Sequence, residues 1–229
     1  MTDFASLAYG VSVWTIPILL AITFHEAAHG FVAWRLGDDT AKVRGRVTFN
    51  PFKHIDLFGT IVLPGLLLLF RAPVLFGYAK PVPVNFARLG KPRRDMVWVA
   101  LAGPGANIAL AVAAALLAHL VPFLPTTVAL WLKANLENAL LINLVLAVFN
   151  MIPLPPLDGG RVAVGLLPDV LARPLARLER HGFMILIALL FLLPYLGNQI
   201  GRDLHIFAWV VLPAVKFLFT VILTVTGHM

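Results

Sequence analysis

Five stretches of this sequence are long and apolar enough to cross a lipid bilayer: Leu7–Trp34, Met96–Val121, Leu136–Ile152, Phe183–Leu196 and Ile206–Thr226. Hydrocarbon offers no partner to backbone N–H and C=O groups, so stretches of this kind must be helices, and the helices must bundle. The expected fold is an all-α polytopic membrane protein with five to six transmembrane helices. One membrane-embedded domain accounts for residues 1–229, with a core over 7–161 and C-terminal helices over 183–226. Charged residues make up 13% of the chain, against about 25% in soluble domains, which excludes a water-soluble enzyme. Cysteine is absent, so any metal must be held by His, Asp or Glu.

A sixth apolar stretch, Leu57–Phe76, is broken by Pro64-Gly65 and contains Arg71 and Pro73. It either spans or re-enters, and the basic residues decide between the two. Arg35–Asp56 carries Arg35, Lys42, Arg44, Arg46 and Lys53, and Gly77–Arg94 carries Lys80, Arg88, Lys91, Arg93 and Arg94. A crossing would put these two groups on opposite faces, against the positive-inside bias. A re-entrant hairpin puts both on the cytoplasmic side with Arg161, Arg173, Arg177 and Arg180, and leaves Lys133 and Arg202 outside. The N-terminus is then external and the first apolar run is retained, since no basic leader precedes it. Basic residues placed in short loops do not make a nucleic-acid surface. The alternation in Val43-Arg44-Gly45-Arg46-Val47-Thr48-Phe49 predicts a short membrane-associated β segment.

Chemistry is concentrated in His25-Glu26-Ala27-Ala28-His29. Residues four apart share a helix face, so both imidazoles can reach one Zn²⁺ at about 2.0–2.1 Å, with Glu26 beside them placed to take a proton from water. With 7 His and 3 Glu in 229 residues, H-E-x-x-H arises by chance about 0.003 times. The alternative, a set of interior polar residues satisfied without metal, puts three ionisable groups in one turn within hydrocarbon with no function to retain them. A third ligand is needed, and Asp158 is a candidate. It follows Pro153-Leu154-Pro155-Pro156-Leu157, which stops the preceding helix, and precedes Gly159-Gly160. Spacing alone leaves open whether Asp158 is a ligand or a helix N-cap.

The pair His25-Glu26-Ala27-Ala28-His29 and Asn150-Met151-Ile152-Pro153-Leu154-Pro155-Pro156-Leu157-Asp158-Gly159-Gly160-Arg161 resembles the site-2 protease family of intramembrane zinc metalloproteases. Leu101-Ala102-Gly103-Pro104-Gly105-Ala106-Asn107 is similar to the helix between the family's two metal-binding segments. The resemblance implies that His25, His29 and Asp158 bind one Zn²⁺ per chain and that Glu26 is the catalytic base. It also implies cleavage of transmembrane protein or peptide substrates near the cytoplasmic face. Gly77-Tyr78-Ala79-Lys80-Pro81-Val82-Pro83-Val84-Asn85 resembles compact members, with neither the PDZ domain nor the CBS pair of the larger ones.

Further expectations concern the substrate. The edge of Val43–Phe49 can take up an unwound substrate by β-augmentation or be a plain interfacial strand, and Asn150 can bond substrate backbone or glue helices together. His54 and Asp56 read as a solvated turn or as an accessory metal pair, whereas His119, His181, His205 and His228 read as interfacial. A divalent-metal transporter or sensor and a non-catalytic membrane scaffold are the rival functions; the first lacks a second broken helix in a pseudo-symmetric half. The protein is expected to be integral and multi-pass, in the cell membrane of a prokaryote. No feature names a substrate or an oligomeric state.

Overall fold

All five long apolar runs are helical in the structure, a computed structural model that describes residues 4–70 and 77–228. The chain begins with α1 (Phe4–Arg35) and the single turn α2 (Thr40–Val43). A π-helical segment at Leu57–Val62 then continues as α3 (Leu63–Leu69). After α4 (Pro92–Ala118) and α5 (Thr126–Asn150) come three short helices, α6 (Asp158–Leu166), α7 (Asp169–Arg177) and α8 (Glu179–Ile187). A π-helical stretch at Ala188–Leu192 joins α8 to α9 (Leu193–Gln199), and α10 (Ile206–Val225) follows. The segments able to cross a membrane are Ala8–Arg35, Pro92–Phe123, Thr126–Asn150, Glu179–Gln199 and Ala208–Val225.

In lipid, apolar side chains gain little by leaving one apolar medium for another, so helices are held by close packing and interhelical hydrogen bonds. α1, α4 and α5 pack against one another across small buried residues: Ala21, Ala27 and Ala33 on α1, Gly103, Ala111 and Ala114 on α4, and Ala147 on α5. Asn138 Nδ2 donates to the Val13 carbonyl at 3.0 Å, tying α5 to α1. Leu140 and Leu144 of α5 meet Val211, Val215 and Ile222 of α10 in the largest apolar cluster.

Two expectations are corrected. The β segment over Val43–Phe49 does not form, and no strand occurs among the described residues. Gly45 N–H bonds the Lys42 carbonyl and Arg46 N–H the Ala41 carbonyl, both at 2.9 Å, and Gly45 has φ of +63°. These residues finish the α2 turn and leave it through a left-handed glycine, which an extended strand cannot contain. Nor is a re-entrant hairpin established. Leu57–Leu69 offers six π-helical and seven α-helical residues, fewer than the about 20 a crossing needs, and residues 71–76 lie outside the described residues.

Candidate metal centre

His25 and His29 lie one turn apart on α1, both buried at 8% exposure, with their Nε2 atoms 3.0 Å from each other. Asp158, 5% exposed, brings Oδ2 to 3.2 Å from His25 Nε2 and 3.3 Å from His29 Nε2. These three are the one group of His, Asp and Glu among the described residues whose ligand atoms converge closely enough to hold an ion.

The sequence around Asp158 explains its position. α5 ends at Asn150 and the proline run turns the chain, so α6 starts with Asp158 as its first residue. A Cβ on Gly159 would lie 2.2 Å from the Met151 carbonyl oxygen, and one on Gly160 would lie 2.2 Å from Pro155 N. Only glycine allows α6 to begin this close to the turn. Gly182 of α8 backs the same turn, where a Cβ would lie 1.8 Å from the Pro155 carbonyl oxygen. Asp158 is not the N-cap: Leu157 holds that position without a side-chain bond, and Asp158 Oδ2 has no hydrogen-bond partner.

The far side of each imidazole is committed. His29 Nδ1–H donates to the Val99 carbonyl at 2.7 Å, and His25 Nδ1–H donates to Asn107 Oδ1 at 2.6 Å. Asn107 is oriented by its own amide, which donates to the Ala21 carbonyl at 3.2 Å and to Asn143 Oδ1 at 2.8 Å. Asn143 in turn donates to the Ala139 carbonyl at 2.8 Å. These partners assign the ring hydrogens to Nδ1, so both Nε2 atoms present lone pairs.

Two lone pairs and a carboxylate oxygen within 3.3 Å of one another repel unless a cation lies between them. Ligand atoms about 2.0–2.1 Å from a tetrahedral zinc stand about 3.3–3.4 Å apart, so the three sides of this triangle fit one face of such a shell and leave a fourth position open. To act together as ligands, the two imidazoles must be neutral at Nε2 and the Asp158 carboxyl ionised.

Glu26, half-buried on the same turn of α1, accepts the Val82 N–H through Oε2 at 2.8 Å. Beside the motif an apolar cleft of about 610 Å³ is lined by Phe24, Ala27, Ala28, Phe31, Val47 and Phe49, among others. A larger cleft of about 820 Å³ lies toward the other end of α4 and α5, away from the ligating group.

Other candidates are placed elsewhere. Asn150 Nδ2 donates to the Leu146 carbonyl of its own helix at 3.0 Å. Asp56 accepts the Gly59 N–H at 2.7 Å and so caps the π-helical segment, while buried His54 bonds the Thr48 carbonyl at 2.9 Å. Neither belongs to a ligating group. Sequence reasoning singled out neither Asn107 nor Asn143 as a functional residue, nor the space under the imidazoles at Gly103. A Cβ at Gly103 would lie 2.4 Å from His29 Nε2 and 2.6 Å from His25 Cε1. The available signal was Gly103 and Asn107 four apart on one face of an apolar helix, with a polar residue at membrane depth.

Comparison with known proteins places the chain among metallopeptidases. The description of peptidase family M50 matches residues 125–193, which include Asp158 and its proline turn. "Putative zinc metalloprotease YwhC" of Bacillus subtilis is 39% identical over 199 residues, covering 82% of this chain and 86% of the relative. "Putative zinc metalloprotease Rip2" of Mycobacterium tuberculosis H37Rv is 34% identical over 194 residues, covering 84% of this chain and 72% of the relative. No solved structure matches the chain at a significant level.

Proposed function

The chain belongs to peptidase family M50, and on that footing we propose which of its residues do the work. It is an integral membrane zinc endopeptidase of the site-2 protease type, which replaces the rival readings of transporter and scaffold. In our reading His25, His29 and Asp158 hold the zinc and Glu26 is the general base. The observation that carries this is the set of three lone-pair donors within 3.3 Å, with both Nδ1 hydrogens turned away to Asn107 and Val99.

Held by His25, His29 and Asp158, zinc would supply Lewis acidity toward a water and the scissile carbonyl. Glu26 accepts a proton from the attacking water and returns it to the leaving amide nitrogen. Asn107 and the Val99 carbonyl keep the imidazoles in the tautomer that turns Nε2 inward.

The substrates we propose are transmembrane proteins or peptides cut near the cytoplasmic face of the cell membrane. The basic residues at and after the end of α1, including Arg35, Lys42, Arg44 and Arg46, support an external N-terminus and an active site near that face. A reporter fused after Arg94 reads as cytoplasmic on this topology. Asn150 gives one amide hydrogen to Leu146; its second hydrogen is proposed to bond the substrate backbone. Residues 1–229 are read as one domain, with its core over 7–161.

Glu26→Gln tests the assignment. Purified and assayed on a transmembrane peptide, the variant keeps its zinc and loses turnover. Substantial residual cleavage removes Glu26 from the role of base.

A further inference from the structure

Between Gly77 and Asn85 the chain forms neither helix nor strand, yet it is tied at both ends. Tyr78 N–H donates to the Gly59 carbonyl and Lys80 N–H to the His54 carbonyl, both at 3.0 Å. Asn85 N–H donates to the buried carboxylate of Asp38 at 2.6 Å. Between these anchors lies Lys80-Pro81-Val82-Pro83-Val84.

Proline has no N–H, so Pro81-Val82-Pro83 offers a single amide donor, and it goes to Glu26 Oε2 at 2.8 Å. Each proline fixes its own φ near about −65° and drives the residue before it into extended backbone, so covalent structure restricts where that N–H can aim. The Val82 side chain is buried, with Cγ1 3.1 Å from the position a Cβ on Gly30 would take, one residue past His29.

Arg46 is buried at 8% exposure, and its Nη2 donates to the Lys80 carbonyl and, at 3.5 Å, to the Pro81 carbonyl. The Pro81 carbonyl and the Val82 N–H belong to one peptide group, whose oxygen therefore faces the guanidinium while its hydrogen faces Glu26. A buried guanidinium is costly to desolvate, and no carboxylate pairs with Arg46 among the described salt bridges.

We infer that Arg46 is a positioning residue for the catalytic base, acting through the Lys80–Val82 strap to hold one oxygen of Glu26 and leave the other for the reacting water. The inference rests on the reading of Glu26 as base. A glutamate on a helix has three side-chain torsions, and a general base acts only within hydrogen-bond reach of its proton, so a fixed oxygen converts a wandering carboxylate into an aimed one.

The test is steady-state cleavage of a transmembrane peptide by the purified full-length protein in micelles, with zinc measured in every variant. Arg46→Ala and Val82→Pro are expected to lower kcat by about 10–100-fold, the usual cost of losing a supporting contact or misplacing a reacting group, with KM and zinc content retained. Arg46→Lys, able to reach one carbonyl, recovers part of the rate, and Val82→Ala, which keeps the amide, falls far less than Val82→Pro. An unchanged kcat in Arg46→Ala overturns the inference; a raised kcat overturns it too, since the strap would then obstruct the base. Loss of zinc in parallel with rate also overturns it, because the role would be structural. Glu26→Gln run alongside separates the two levels: turnover in that variant defeats the base assignment, whereas an inactive Glu26→Gln beside a fully active Arg46→Ala defeats the positioning role alone.

Discussion

His25 Nδ1 lies 2.6 Å from Oδ1 of Asn107, a residue 82 positions away on α4. This bond sets the tautomer of one proposed zinc ligand and is itself set by Asn143 and the Ala21 carbonyl. Asn107→Ala removes the acceptor and leaves the Nδ1–H buried without a partner. Zinc affinity, measured by chelator competition, is expected to fall about 10–100-fold, the usual cost of losing a partner that orients a metal-bound histidine.

Gly103 lies directly beneath the His25 and His29 imidazoles. Gly103→Ala places a methyl 2.4 Å from His29 Nε2, which the ring can relieve only by leaving its place beside Asp158. The variant is expected to bind zinc at least about tenfold more weakly and to lose activity in proportion. Zinc content after dialysis checks it.

Gly182 is far from the ligands in sequence but packs against the turn that delivers Asp158. Because a Cβ there would meet backbone, at 1.8 Å from the Pro155 carbonyl oxygen, no side-chain rotation relieves it. Gly182→Ala is expected to destabilise the fold by about 1–3 kcal/mol, as overpacking does. Thermal unfolding in micelles reads this as a lowered Tm, and cleavage falls with it as Asp158 is displaced.

Asp38 fixes the far end of the strap. Burial pushes its carboxyl up, but bonds from the Thr40 hydroxyl, the Asn85 N–H and the Thr40 N–H, with the charge of Arg88, hold it below the ordinary value of 3.8. A carboxyl depressed in the folded state stabilises at pH above its unfolded value, and that stability is lost as pH falls through the folded one. Asp38→Asn should therefore lower Tm at neutral pH, and the gap to the parent should close as pH falls below about 4. A gap that stays constant down to pH about 2 contradicts this account of Asp38.

The parts of the site that were legible in the sequence are those in which chemistry and spacing coincide. His25, Glu26 and His29 share a helical turn, and an apolar run admits no cheaper reason for them. Asp158 was visible only as a candidate, because a carboxylate ahead of Gly-Gly reads equally well as a cap until Leu157 is seen in the cap position. The contact of Val82 with Glu26 uses a backbone donor, which leaves no mark on residue type beyond the flanking prolines. Val43–Phe49 misled because the end of α2, the left-handed Gly45 and the turn beyond it alternate in residue type as a strand would. The helix α5 begins at Thr126, ahead of the expected Leu136, because polar Lys133 and Asn135 precede the apolar run; Lys133 nonetheless pairs with Glu137 four residues on, at 3.8 Å, as helical residues do.

Asp158, His25 and His29 should meet at one zinc ion, and zinc stoichiometry and affinity of the purified full-length protein beside Asp158→Ala measure this directly. One zinc per chain is expected in the parent, with high-affinity zinc and cleavage activity both lost in the variant. A variant that keeps one zinc per chain at the parent's affinity rules out Asp158 as the third ligand.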